Sequence, residues 1–136
     1  MELQQQLASV PLLAGLEDRV RRRLADIGKR RIYEAGETVV REGSTGTALY
    51  IVLSGLARVE RGGETLGQLK AGDFFGELAL IEEHPRSASV IAVEETECLL
   101  FPAWEFTSLL EEHPEIAVPI MRTLIARLHR RESHNA

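Results

Sequence analysis

Cysteine occurs once in this chain, as Cys98, so no internal disulfide can form and a reducing interior suits it. Aromatic residues make up only 5% of the sequence, which leaves the core to Leu, Ile, Val and Ala. No apolar run approaches the roughly 20 residues that span a bilayer. The opening MELQQQLASV lacks the basic and long apolar regions of a signal peptide. These absences favour a cytoplasmic location, or the cytoplasmic side of a larger membrane protein, without membrane insertion. Positive charge is not in excess either. A net charge of -5 argues against direct nucleic-acid contact by the domain as a whole. His84, His113, His129 and His134 show no metal-ligand spacing, and no Walker loop or dinucleotide fingerprint occurs. Ser87 has no base evident in the sequence. An enzyme reading therefore finds no footing, and no catalytic residue, metal or cofactor is expected.

What is present is ordinary for a globular domain: 44% hydrophobic and 27% charged residues in 136. This length makes one domain, residues 1–136, burying roughly 65 to 70% of its unfolded surface. Basic residues cluster locally, as Arg19, Arg21, Arg22, Arg23, Lys29, Arg30 and Arg31, and again as Arg127, Arg130 and Arg131. Both clusters read as solvated helix faces, with a docking surface for a neighbouring domain as the lesser alternative.

Three regions follow along the chain. Leu16, Val20, Leu24 and Ile27 recur at helical spacing before Gly28, which predicts a short amphipathic helix over about 17–27, within an N-terminal helical segment of about 3–28. From about 30 to 101, glycines punctuate short β-rich runs such as RIYEAG, ETVVREG, ALYIVLSG, LARVERGG and ASVIAV. Gly62-Gly63 between LARVER and ETLGQL signals a two-residue hairpin. The evenly spaced strands predict a mainly β fold, an antiparallel jelly-roll β-barrel with flanking helices. From about 103 to 133 the helical period returns. Phe106, Leu109 and Leu110 mark a short helix ending near His113-Pro114. Ile116, Ile120, Leu124 and Leu128, joined by Met121 and Ile125, then mark a longer one with a broad apolar stripe. Pro119 within that stripe requires a kink or a later helix start.

The stretch FGELALIEEHPRSASV at residues 75–90 concentrates the chemistry. Gly76 has no Cβ, so its backbone can approach a ligand closely. GELAL favours a single helical turn whose free N–H groups, from Gly76 to Ala79, make an anion site. Arg86 brings a fixed fork of donors suited to phosphate oxygens, and Ser87 adds a hydroxyl. A carboxylate beside a phosphate is repulsive unless it accepts from sugar hydroxyls on the same ligand, which assigns Glu77 to a ribose. Taken singly, an acid and an arginine flanking a loop more often form a structural ion pair, and a glycine turn is more often a tight corner. In this order and spacing they specify a small phosphorylated sugar.

FGELAL at 75–80 followed by PRSA at 85–88 resembles the phosphate-binding cassette of cyclic nucleotide-binding domains, the family of catabolite activators and protein kinase A regulatory subunits. VPLLAGL at 10–16, YEAGETVVREGSTGTALYIVLSGLARV at 33–59, LKAGDFFGELAL at 69–80 and FPAWEFTSLLEEHPEIA at 101–117 extend the likeness over most of the chain. The resemblance implies that Gly76, Leu78 and Ala79 offer backbone contacts, Glu77 holds the ribose 2′-OH, and Arg86 pairs with the cyclic phosphate assisted by Ser87. An adjacent Thr-Ser pair meets adenine in the catabolite activators; Arg131 and Glu132 stand at those positions here. Arg127, Leu128 and Arg131 are the candidates for covering the base, with simple packing as the alternative for Leu128. The expected ligand is cAMP, with cGMP left open because Ser87 does not decide between them. The implied function is a regulatory sensor that transmits occupancy through its final helix, to a homodimer partner or to an output domain outside this chain. The alternative is a degenerate member that keeps the fold as a ligand-independent interaction domain.

Overall fold

The strand Ala48–Ser54 shows why this chain builds a wall covered on both faces. Its sequence ALYIVLS is almost continuously apolar, and side chains on a strand alternate between faces. Leu49, Ile51 and Leu53 accordingly pack into a cluster with the helices, while Tyr50 and Val52 pack into a second cluster with the opposing sheet. The same division runs through Thr96–Pro102, where Leu99 and Phe101 face the helices and Cys98 and Leu100 face the other sheet. A strand buried on both sides reads as an unbroken hydrophobic run.

The computed structural model describes residues 3–46, 48–76 and 84–135, without the side chains of 84, 127, 128 and 130–135. In chain order the elements are α1 (Leu3–Ala8), α2 (Asp18–Ile27), β1 (Lys29–Tyr33), β2 (Thr38–Val40), β3 (Thr45–Gly46), β4 (Ala48–Ser54), β5 (Leu56–Arg61) and β6 (Glu64–Lys70). They continue with β7 (Phe74–Phe75), β8 (His84–Pro85), β9 (Ser89–Ala92), β10 (Thr96–Pro102), α3 (Ala103–Glu112), a 3-10 turn (Pro114–Ile116) and α4 (Ala117–Asn135). One sheet runs β1-β10-β4-β7 and the facing sheet β2-β9-β5-β6, with β3 and β8 forming a separate ribbon. All described pairings are antiparallel. The expected jelly-roll is present with its flanking helices. It is a two-sheet roll rather than a closed barrel, because among the described strands no hydrogen-bonded ladder joins the two sheets.

Gly62 and Gly63 take φ of 58° and 82° between β5 and β6, the left-handed pair that a type I′ hairpin requires. Pro119 takes the later-start alternative. Ile116 lies in the 3-10 turn and α4 begins at Ala117, so Pro119 falls in the first turn, where its missing N–H is no loss. The stripe on α4 is narrower than its sequence suggests. Ile116 and Ile120 are buried and Leu124 packs against them, whereas Val118, Met121 and Ile125 are 45%, 52% and 52% exposed. No helix among the described residues is long and apolar enough to cross a membrane.

Arg21 overturns its assignment to a solvated face, since it is only 8% exposed. The segment between α1 and α2 buries Val10, Leu12, Leu13 and Leu16, and so turns backbone carbonyls inward. Arg21 Nη1 donates to the carbonyls of Leu13, Ala14 and Leu16, and Nη2 to the Asp18 carboxylate. A guanidinium suits this place because one planar fork serves several acceptors. On α2, Arg19 and Arg23 are solvated as expected and pair with Glu17 and Glu112, whereas Lys29, Arg30 and Arg31 are exposed on strand β1 rather than on a helix, Arg30 pairing with Glu97.

Two predictions follow from this packing. Arg21→Met strands buried acceptors and lowers stability by about 2–4 kcal/mol in urea denaturation; an unchanged midpoint would contradict the bracing role. Burial, with Glu97 adding to it, pushes the Cys98 thiol up to about 12, and burial pushes the Tyr33 phenol up to about 12. Both groups ionise earlier when unfolded, from ordinary values of 9.0 and 10.0. Their contribution is therefore complete below pH 9 and lost as pH rises from there toward 12. Native protein at pH 8 should resist iodoacetamide and react on unfolding; rapid native alkylation would contradict it.

Candidate functional site

Arg86 reaches its position through a short ribbon. Thr45 pairs with Pro85 and Gly46 with His84, so β3 and β8 lie side by side. The Arg86 N–H donates to Ser44 O at 2.8 Å, and the Gly43 N–H donates to Arg86 O at 2.8 Å. Main chain on both sides thus fixes where the arginine leaves the backbone. The side chain then crosses toward the start of β4, where Nη2 donates to Ala48 O at 3.0 Å.

Two glycines make room for the guanidinium. A Cβ at position 46 would overlap the Arg86 side chain, and a Cβ at Gly76 would stand 2.5 Å from Nη1 and 2.6 Å from Ala48 O. Gly76 also takes φ of 83°, a left-handed value that a residue with a side chain adopts only under strain. Arg86 therefore lies in a cradle of Gly46, Ala48 and Gly76, with the Tyr50 ring beneath it at 5.7 Å from the guanidinium carbon. The Nε is buried and has no hydrogen-bond partner among the described residues. A half-enclosed cationic fork whose donors no carboxylate among the described residues occupies is chemically suited to an anion.

The aromatic floor is itself braced. Tyr50 sits opposite Phe75 in the β4–β7 ladder, and the two rings stack at 4.7 Å and 11°. Burial raises the Tyr50 phenol above its ordinary value, with Arg86 pulling the other way. The ring is therefore a neutral phenol at physiological pH. On the other flank, Arg61 Nε donates to Ser87 O at 2.8 Å, the Glu42 N–H donates to Ser89 Oγ at 2.8 Å, and Glu42 Oε1 accepts from the Gly62 N–H at 3.0 Å. The β5–β6 hairpin is thereby tied to the chain that follows Arg86.

Of the residues singled out in the sequence, the structure brings Gly76 and Arg86 together and leaves Ser87 exposed beside them. Glu77, Leu78 and Ala79 lie outside the described residues. Arg127, Leu128 and Arg131 belong to α4, but their side chains also fall outside the description. Gly46, Ala48, Tyr50 and Arg61 were not singled out. The only trace of the first three is a glycine placed just ahead of an apolar strand with an aromatic in its third position.

Residues 30–113 match the family described as Cyclic nucleotide-binding domain. The chain is 39% identical over 105 residues to the Cyclic AMP receptor protein of Thermus thermophilus, covering 74% of this chain and 49% of that one. It is 43% identical over 88 residues to a cAMP-dependent protein kinase regulatory subunit of Yarrowia lipolytica, covering 63% of this chain and 24% of that one. Among solved structures, the Thermus thermophilus Catabolite Activator Protein superposes with a TM-score of 0.81 at 33% identity, over 91% of this chain and 61% of that one. The chain thus spans about half the length of the first curated relative and about a quarter of the second.

Gly76→Ala places a methyl group against Ala48 O at a strained φ, and is expected to cost about 1–3 kcal/mol of stability. Equilibrium urea denaturation checks this, and a variant as stable as the parent would show that the cradle is not tight.

Proposed function

Because this chain belongs to the cyclic nucleotide-binding domain family, we propose that it binds a cyclic nucleotide, cAMP in preference to cGMP, as a regulatory sensor rather than a catalyst. The observation that carries this reading is the Arg86 cradle, formed by Gly76 of the FGELAL cassette and by Gly46 and Ala48 of a distant segment. Arg86 is to pair with the cyclic phosphate, assisted by the Ser87 hydroxyl and the backbone N–H groups of Gly76 and Ala79. Glu77 is to accept from the ribose 2′-OH, with Leu78 beside it. Arg127, Leu128 and Arg131 on α4 are to cover the base. Both curated relatives are named for cyclic AMP, which supports the choice of nucleotide.

The cradle explains why such a ligand suits this place. A phosphodiester carries one negative charge in a compact ring, and Arg86 meets it with donors that no carboxylate among the described residues occupies. Transmission is to run through α4, which holds the roll with Ile116, Ile120 and Leu124 while offering Val118, Met121 and Ile125 outward. Ligand occupancy shifts the pose of that helix only by its differential affinity for two poses.

Isothermal titration with cAMP and cGMP tests the reading. Saturable binding is expected, tighter for cAMP, and weakened about 10- to 100-fold or more by Arg86→Ala. At 100 times its dissociation constant the ligand should add about 2.7 kcal/mol to stability. Binding of neither nucleotide would leave the ligand-independent interaction domain as the better account.

A further inference from the structure

Arg86 presents a problem that its polar contacts do not solve. A long flexible side chain must be held in one orientation before the ligand arrives, or its ordering subtracts from affinity. The usual restraint, a buried carboxylate, would occupy the donor fork and cancel the charge that an anion needs. Only one hydrogen bond from the guanidinium is in place among the described residues, Nη2 to Ala48 O. The second restraint is the Tyr50 ring, with the guanidinium carbon over it at 5.7 Å. An aromatic face attracts and orients a guanidinium while taking none of its N–H groups.

We propose that Tyr50 is the positioning residue of the site: its ring face, braced by Phe75, holds the Arg86 guanidinium ready for the phosphate without spending a donor on it. This rests on the cyclic-nucleotide reading above. The geometry favours a dedicated platform over incidental contact. Tyr50 and Ala48 are two apart on β4, so one short stretch of that strand delivers both restraints on Arg86, a carbonyl and a ring. Phe75, which stacks on Tyr50, directly precedes Gly76. The ring therefore ties the arginine to the start of the cassette, two parts of the site that the sequence separates. The hydroxyl takes no part in this contact, which is made by the ring face. Ring and hydroxyl can be tested apart.

Three variants are to be titrated with cAMP and melted in parallel. Tyr50→Phe keeps the ring and removes only the hydroxyl, so affinity should stay within about twofold of the parent. Tyr50→Leu loses the ring face and should weaken cAMP binding about 3- to 10-fold. In an Arg86→Ala background the same Tyr50→Leu change should move affinity by less than about twofold, because nothing is left to position. A loss that persists there, or affinity and stability falling together across the series, overturns the inference in favour of ordinary core packing. Binding by the parent that is indifferent to Tyr50→Leu overturns it alone; no binding by the parent overturns the ligand reading and this inference with it. Should Tyr50→Leu not fold, the Arg86 Nε–H resonance of the ligand-free parent decides. An upfield ring-current shift retained in Tyr50→Phe supports the platform, and an unshifted resonance overturns it.

Discussion

The enclosure of one guanidinium between residues that have no side chain is the constraint on which the site depends. Arg86 can lie against β4 only because positions 46 and 76 are glycine and Ala48 turns a carbonyl toward it. Each part has a separate cost: a left-handed backbone at Gly76, a buried Nε, and a charge taken partly out of water. Costs of this kind are tolerated where a ligand or a mechanism needs them.

The fold supplies what offsets them. The sheet β1-β10-β4-β7 is covered by helices on one side and by the second sheet on the other, so β4 is among the most deeply packed strands. The cradle takes its carbonyl and its ring from the first residues of that strand. Gly76 and Arg86 are thus both held against a deeply packed strand. Bracing of the same type recurs at the opposite end of the chain, where Arg21 satisfies inward carbonyls of the segment before α2. The buried Arg21 braces the fold, and the half-buried Arg86 is the one proposed for recognition. Each leaves its Nε without a partner among the described residues; they differ at the terminal nitrogens, where Arg21 meets three carbonyls and a carboxylate and Arg86 meets one carbonyl.

Much of this was legible in the sequence, for reasons that can be named. Helix α2 announced itself through Leu16, Val20, Leu24 and Ile27 and ended at the glycine expected. The Gly62-Gly63 hairpin followed from turn chemistry alone, because few residues other than glycine take two consecutive left-handed conformations. Gly76 and Arg86 were identifiable because the cassette is contiguous. What escaped was whatever depends on contacts between distant segments. Ala48 lies 38 positions from Arg86, and no local pattern announces that they meet. Arg21 looked like one more charge in a basic run, since burial of an arginine is decided by the carbonyls around it. Met121 and Ile125 share the helical period of the buried stripe yet face outward, because period indicates a face and not its width. The strands were read as a barrel because alternation reports the covered faces of a sheet and is silent on whether its edges join.

Arg86, held on its aromatic floor, is the group proposed to grip the phosphate of a cyclic nucleotide. A crystal structure of the chain grown with cAMP addresses it most directly. Phosphate oxygens are expected about 2.7–2.9 Å from the Arg86 guanidinium nitrogens, with that guanidinium still over the Tyr50 ring. A nucleotide bound elsewhere, or in this groove with its phosphate turned away from Arg86, would contradict it.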